Sequence, residues 1–197
     1  ISVMFLLLAP YCLSTTQYNY DHETGIFRVK AETAEDVIDT EEITKLLPEG
    51  RIWTELIVEG PFKTITMSAF AGAVDCKKIT LPDTIKGINR YAFEQNKAIE
   101  TFTLPKECAY VAAYAFQDCT SLKYFYYYKH CTNFSHGIFK FNTNLTEFAR
   151  AENDTTEAAS PNSFIGKYAF YDCQSLVKVV FPENCTAAVT VSILSIM

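Results

Sequence analysis

Four side chains that ligate zinc, Cys119, His130, Cys131 and His136, fall within eighteen residues of one another. Structural zinc sites take such ligands in close pairs of the C-x2-4-C kind. These spacings do not fit that form, and Cys131 belongs to an apolar column described below, so no metal site is expected. Nucleophilic catalysis has little to build on. The chain holds three histidines, His22, His130 and His136, and lacks both a G-x-S-x-G turn and a papain-like cysteine signature, so no base is placed beside a nucleophile. The seven glycines are scattered, with Gly72 and Gly87 reading as turn residues, so no phosphate-cradling loop is present. Asp118 and Asp172 each precede a cysteine in a repeated phrase. That place suits a local side-chain to backbone bond rather than acid–base work. The expectation is a protein without catalytic residues, cofactor or small-molecule substrate.

The phrase itself explains why. YAFQDCTSL stands at 114–122 and YAFYDCQSL at 168–176, and the pair Ala-Phe also occurs at Ala69-Phe70 and Ala92-Phe93, with a weaker copy at Ile138-Phe139. Phe70, Phe93, Phe116 and Phe139 are spaced by 23 residues, and Phe170 follows after 31. The extra eight residues fall in the polar run ARAENDTTEAASPN, read as a surface insertion near 149–162. Apolar columns run through the aligned units. Six after the Phe stand Cys76, Ile99, Leu122, Leu145 and Leu176; nine after it, Ile79, Phe102, Phe125, Phe148 and Val179. Eleven after it stand Leu81, Leu104, Tyr127 and Phe181, with Arg150 breaking the column. Trp53, Leu56, Val58, Phe62 and Ile65 extend the register backward by one period. This is the L-x-x-L-x-L segment of a leucine-rich repeat. One 23-residue unit cannot bury its apolar side alone, so the units must stack. The predicted fold is a repeat solenoid, with one short parallel β-strand per ~23-residue rung, about six rungs and an N-terminal cap. A helical repeat would show a longer period, and a sandwich would not need fixed columns.

The organisation along the chain follows. Residues 1–14, within ISVMFLLLAPYCLSTTQ, read as a clipped signal peptide, too short to span a bilayer; a buried strand of the cap is the alternative. Residues 15–50 read as an acidic N-terminal cap, with AETAEDVIDTEEITKLL as a solvated helix or loop over the first rung. Residues 51–190 are the repeat domain, and 191–197 its end, possible truncation included. Net charge is −6, concentrated in the first third of the chain, and no basic patch argues for nucleic acid or an anionic membrane. Asn133, Asn144, Asn153 and Asn184 each open an N-x-S/T sequon, which suits a glycosylated exported surface. Asn153 is the best placed and Asn184 the worst, since Cys185 beside it lies in a core column.

Six cysteines remain after Cys12. Cys76, Cys108, Cys131 and Cys185 occupy columns filled elsewhere by Ile or Leu, which suits small buried hydrophobes. Cys119 and Cys173 lie two rungs apart, roughly 10 Å, beyond disulfide reach. Only Cys108 and Cys131, in one column on adjacent rungs, are expected to be close enough to bridge.

The pattern A-F-x-x-C-x-x-L-x-x-[IFV]-x-[LF]-P, carried by AFYDCQSLVKVVFP and in part by AFEQNKAIETFTLP, resembles the BspA-like leucine-rich repeats, also called the Treponema pallidum type. The likeness spans roughly 51–190 and departs from the pattern in IFKFNTNLTEFARAE, which lacks the Cys and the Pro. It implies a surface or secreted protein of a host-associated microbe, with adhesion to proteins, cells or matrix as the class of function.

Residues alternating with the core columns must face outward on each strand. One row holds Glu55, Lys78, Thr101, Tyr124, Glu147 and Lys178; the next holds Ile57, Thr80, Thr103, Tyr126, Ala149 and Val180. A third includes Tyr128, in KYFYYYKHC. Tyr124, Tyr126 and Tyr128, with Lys78, Thr103 and Lys178, are therefore the expected contact residues for a protein or glycan on host or neighbouring cells, because tyrosines offer large area at low entropy cost. Cross-strand packing among themselves is the plainer reading of the same rings. A structural coat that self-associates laterally, without a dedicated ligand, is the alternative function.

Overall fold

The computed structural model describes residues 15–155 and 162–187. The expected leader at 1–14, the centre of the insertion at 156–161 and the chain from 188 onward lie outside the described residues.

The chain enters through an antiparallel hairpin, β1 (Gln17–Asp21) and β2 (Ile26–Lys30), in which Tyr18 pairs with Val29 and Tyr20 with Phe27. β2 then pairs parallel with β3 (Glu55–Glu59), setting Phe27 beside Leu56 and Val29 beside Val58. Between them, α1 (Thr40–Leu46) starts at Asp39, whose carboxylate accepts from the Glu41 and Glu42 amides, and buries Ile43. The acidic run thus supplies one short helix, with Glu41 and Glu42 in its first turn, where the helix dipole favours them. Ahead of it, Asp36 accepts hydrogen bonds from the amides of Thr33, Thr15 and Glu32 and from the Thr15 hydroxyl. These bonds, that from Thr33 foremost, lower its pKa to about 2. The β2 strand aligns with the repeat register although no column from the repeats reaches it.

From β3 onward the chain winds through rungs that carry two strands each, where the columns predicted one. The second strand of each rung is two or three residues long: β4 (Thr64–Ile65), β6 (Gly87–Ile88), β8 (Tyr110–Val111), β10 (Asn133–Phe134), β12 (Ser163–Ile165) and β14 (Cys185–Ala187). All six pair in one parallel sheet in sequence order. The leading strands are β3, β5 (Lys78–Thr80), β7 (Thr101–Thr103), β9 (Tyr124–Tyr127), β11 (Glu147–Arg150) and β13 (Lys178–Val179). With β1 and β2 of the entry hairpin they form two four-stranded sheets, β1-β2-β3-β5 and β7-β9-β11-β13, so the strand face is interrupted between β5 and β7.

A third ladder runs along the Ala-Phe corner and explains the repeated phrase. The residues two before and two after the Phe take positive φ in every such turn: Ser68, Tyr91, Tyr114, Gly137 and Tyr168 before it, Gly72, Gln95, Asp118, Phe141 and Asp172 after it. Alternation with these left-handed residues aims three amides of each corner at the next rung. Tyr114 N–H meets His136 O at 3.0 Å, Phe116 N–H meets Ile138 O at 3.0 Å, and Asp118 N–H meets Lys140 O at 2.8 Å. Asp118 and Asp172 therefore serve by backbone conformation, which Asp tolerates. Their carboxylates are turned to Lys97, at 3.5 Å, and to the Gln174 amide, at 2.8 Å, in place of the expected bond to local backbone. Gly72 is a turn glycine as expected, with φ +77°, whereas Gly87 lies in β6 beneath the Tyr110 ring, where a Cβ would collide with it.

Between the ladders the rings stack rung on rung. Phe93 and Phe116 lie 5.2 Å apart, Phe116 and Phe139 6.2 Å, and Phe139 and Phe170 5.6 Å, while the strand column sets Phe102, Phe125 and Phe148 at 5.7 and 5.9 Å. The two columns meet edge to face, as at Phe102–Phe116 and Phe116–Phe125. Three residues after the Phe stand Ala73, Asn96, Cys119, Asn142 and Cys173; Asn142 accepts from the Cys119 amide at 2.8 Å, and three others donate to corner carbonyls from inside. Asn96 donates to Phe70 O at 2.8 Å, the Cys119 thiol to Phe93 O at 3.2 Å, and the Cys173 thiol to Phe139 O at 3.1 Å.

Candidate functional site

Cysteine and histidine do not assemble a reactive centre. Cys119 is buried with its thiol on a carbonyl of the rung before it, while His130 and His136 are exposed. Among the described residues no three His, Cys, Asp or Glu side chains converge as metal ligands would. Cys108 and Cys131 are neighbours, as their column requires, and both are buried free thiols, that of Cys108 donating to Tyr110 O at 3.4 Å. Each already fills a core position, and neither needs a bond to be held there. Burial pushes the Cys119 and Cys173 thiols up to about 12 and Cys76 to about 11. Two results are expected. Iodoacetamide at pH 8 will leave Cys119 unlabelled in the folded chain and label it after denaturation, as read by mass spectrometry. In addition, the folded chain holds these thiol protons more tightly than the unfolded chain, whose thiols titrate near 9. Stability will thus be undiminished below pH 9 and will fall as pH rises from about 9 toward 12.

The strand face is where polar and aromatic groups converge. In its first row Glu55 lies in register with Lys78, and Thr101, Tyr124, Glu147 and Lys178 follow across β7, β9, β11 and β13. Lys78 donates to Glu55 and Lys178 to Glu147, each at 2.7 Å. Both lysines are well exposed, so these pairs stabilise by at most about 1 kcal/mol each, and their effect is to cancel charge on the face. In the second row Thr103, Tyr126 and Ala149 pair across the strands. Tyr124 is 40% exposed and Tyr126 half-buried, with Lys78, Thr103 and Lys178 all open to solvent.

Tyr128 departs from the expectation. It is only 7% exposed, and its hydroxyl donates to Asn153 Oδ1 at 3.1 Å. The strand alternation stops before it because β9 ends at Tyr127, whose ring is core and whose hydroxyl donates to Val180 O at 2.8 Å. From β7 onward the third row turns inward: Pro105, Ala151 and Pro182 are buried as well, whereas Glu59 in the first rung is exposed. The start of the insertion covers Tyr128, held down by Asp154. That carboxylate is almost wholly buried, accepting from the Lys129 amide at 2.6 Å and from Arg150 Nε at 2.7 Å. This accounts for Arg150 in an otherwise apolar column. Thr103, Tyr126, Tyr128, Ala151, Glu152 and Asn153 thereby enclose an open cavity of about 420 Å³ on the strand face. The alternating pattern shows Tyr126 and Thr103 at its rim but not the insertion residues, because the insertion lies outside the repeat register. The four sequon asparagines, Asn133, Asn144, Asn153 and Asn184, are all exposed. Asn184 stands in a left-handed turn, φ +54°, which lifts it out of the column its neighbour Cys185 occupies.

Comparison with known proteins matches this geometry. Residues 51–159 and 148–191 fit six copies of the BspA type leucine rich repeat region. No curated protein sequence matches the chain. Among solved structures, a T. pallidum leucine rich repeat protein is similar at 15% identity and TM-score 0.56, over 83% of this chain and 78% of that one. The pneumococcal vaccine antigen PcpA is similar at 18% identity and TM-score 0.54, over 87% of this chain; the chain spans 51% of that structure's length. At these identities the likeness is one of fold. The six matched copies cover the stacked rungs, and the chain belongs to the BspA-type leucine-rich repeat family.

Proposed function

We propose that this chain is a non-enzymatic exported or cell-surface binding module that contacts a protein or glycan of host or neighbouring cells through its strand face. The observation that carries the reading is the cavity of about 420 Å³ between Tyr126, Tyr128 and the insertion, on a face whose lysines are already neutralised by glutamates. A volume in this range suits a ligand group or an inserted side chain. Tyr124 and Tyr126 supply the anchoring area beside it. The rings are held by a sheet paired on both sides, so little order has to be gained on binding. The family's occurrence on microbial surfaces agrees with this reading.

The test is the double substitution Tyr124→Ser and Tyr126→Ser, leaving buried Tyr128 intact. The circular dichroism spectrum and cooperative melting are expected to persist, while attachment to host cells or matrix falls by about tenfold or more, the scale of one aromatic hot spot. Undiminished attachment by a folded double variant would remove the strand face from the function. Lateral assembly without a ligand would show as self-association that survives the double substitution with no cell attachment in the parent chain.

A further inference from the structure

Two other sets of rings at the surface of this molecule, one half-buried and one exposed, carry a cation of their own. The Arg90 guanidinium lies 4.7 Å from the Tyr91 ring and 5.5 Å from the Tyr114 ring, which are themselves stacked at 5.4 Å. The Lys140 ammonium lies 4.8 Å from Phe141 and 5.4 Å from Tyr171. Among the described residues no lysine or arginine stands over Tyr124, Tyr126 or Tyr128, because the nearby Lys178 is committed to Glu147. The cavity lined by Tyr126 and Tyr128 has no cation in its wall, and its one charged group is Glu152, an exposed carboxylate with no ion pair among the described residues. Its remaining polar groups are the Thr103, Tyr126 and Tyr128 hydroxyls and the Asn153 amide. With Glu147 and Lys178 cancelling, the local charge is that of Glu152, negative.

Resting on the reading of this face as the contact surface, we infer that the cavity takes a basic side chain, arginine or lysine, presented by a partner protein. The cation stacks against the open Tyr126 ring and pairs with Glu152, while the hydroxyls and the Asn153 amide orient it. Arginine fits better than lysine, since a planar guanidinium stacks on a ring and still donates at its edge. Burial foremost raises the Tyr126 phenol's pKa, and Glu147 and Glu152 add to the rise against the opposing charge of Lys178.

The probe is acetyl-Gly-Gly-Arg-Gly-Gly-amide, with its citrulline counterpart, of nearly equal shape and no charge, as control. Both are titrated into the intact chain with tyrosine ring signals followed by NMR. The arginine peptide is expected to shift the ring signals and to bind several-fold more tightly than the citrulline peptide. Glu152→Gln, a change at an exposed position, should weaken the arginine peptide by about threefold to tenfold, and Tyr126→Ser should weaken it further. Equal binding of the two peptides, no binding of either, or an unchanged affinity in Glu152→Gln overturns the inference. Maltotriose binding that Tyr126→Ser removes and Glu152→Gln leaves intact would also overturn it, by assigning the cavity to a neutral sugar while the strand face stays the contact surface. Loss of the contact surface itself is read separately, from the attachment of the Tyr124→Ser, Tyr126→Ser chain.

Discussion

Replacing Phe116 by alanine is expected to remove about 3–5 kcal/mol of unfolding free energy, or roughly 10 °C or more of Tm, measured by urea and thermal denaturation. The ring is fully buried and touches rings on both adjacent rungs and in both columns, with Phe93, Phe102, Phe125 and Phe139 all within 6.2 Å. Its loss leaves a void that those neighbours cannot fill, because each is fixed by its own rung at the strand spacing. In a solenoid, stability resides in nearest-neighbour interfaces, so one void weakens two of them. Phe141→Ala is the control: its ring is 38% exposed, and its loss should cost about 1 kcal/mol or less. Equal costs at the two positions would mean that the aromatic column is not the continuous core described.

Gly60→Ala is the second large effect, and it acts through the backbone. Gly60 has φ +95°, and a Cβ there would stand 2.2 Å from the Ala31 carbonyl oxygen. Neither side can yield easily, because the Ala31 amide donates to Glu59 O at 3.0 Å and ties the two segments together. The expected cost is about 2–3 kcal/mol, from left-handed strain plus the loss of that hydrogen bond. Amide hydrogen exchange should show the loss concentrated in β2 and its pairing with β3. Gly72→Ala separates the two causes. It has φ +77° but open space around its Cβ position, so it should cost only about 1 kcal/mol. A Gly60→Ala chain as stable as Gly72→Ala would deny the close approach of 27–31 to the first rung.

Most of the fold is legible because the rung is written in residue type at a fixed spacing. The columns at six, nine and eleven residues after each Phe become the inward side of the rungs, and Phe116, Phe125 and Leu122 are fully buried where the register places them; Phe181, on the last rung, is 43% exposed instead. Eighteen residues after the Phe, Ile88, Val111 and Phe134 also share a column, and they lie in the second parallel sheet. Two-residue strands are too short to show alternation. The left-handed corners were harder to see, since Ser, Tyr, Gln, Asp and Phe share no chemistry there; what they share is tolerance of a backbone angle imposed by the ladder. Asn96, Cys119, Asn142 and Cys173 occupy one column, and their common ability to meet a backbone group was a signal available in the sequence.

The proposed contact face is legible only where strand alternation holds. It placed Tyr124, Tyr126, Lys78, Thr103 and Lys178 in the open, and it failed at Tyr128, one residue past the end of β9. What covers Tyr128 is non-periodic: Asn153 on its hydroxyl and Asp154 on Arg150 belong to the insertion, which no register predicts. The same failure hid the cavity, whose wall is half insertion. Arg150 was the one residue that signalled it, as a charge in an apolar column that needed a partner nearby.

In the proposed function the strand face makes the contact and the rungs hold it in place. This is tested most directly by placing a photo-crosslinking benzoylphenylalanine at Tyr124 on that face, or at exposed Asn133 on the opposite sheet, in otherwise unchanged chains bound to host cells or matrix. Covalent adducts are expected from position 124 and none from position 133. Adducts from 133 alone would contradict the proposed function.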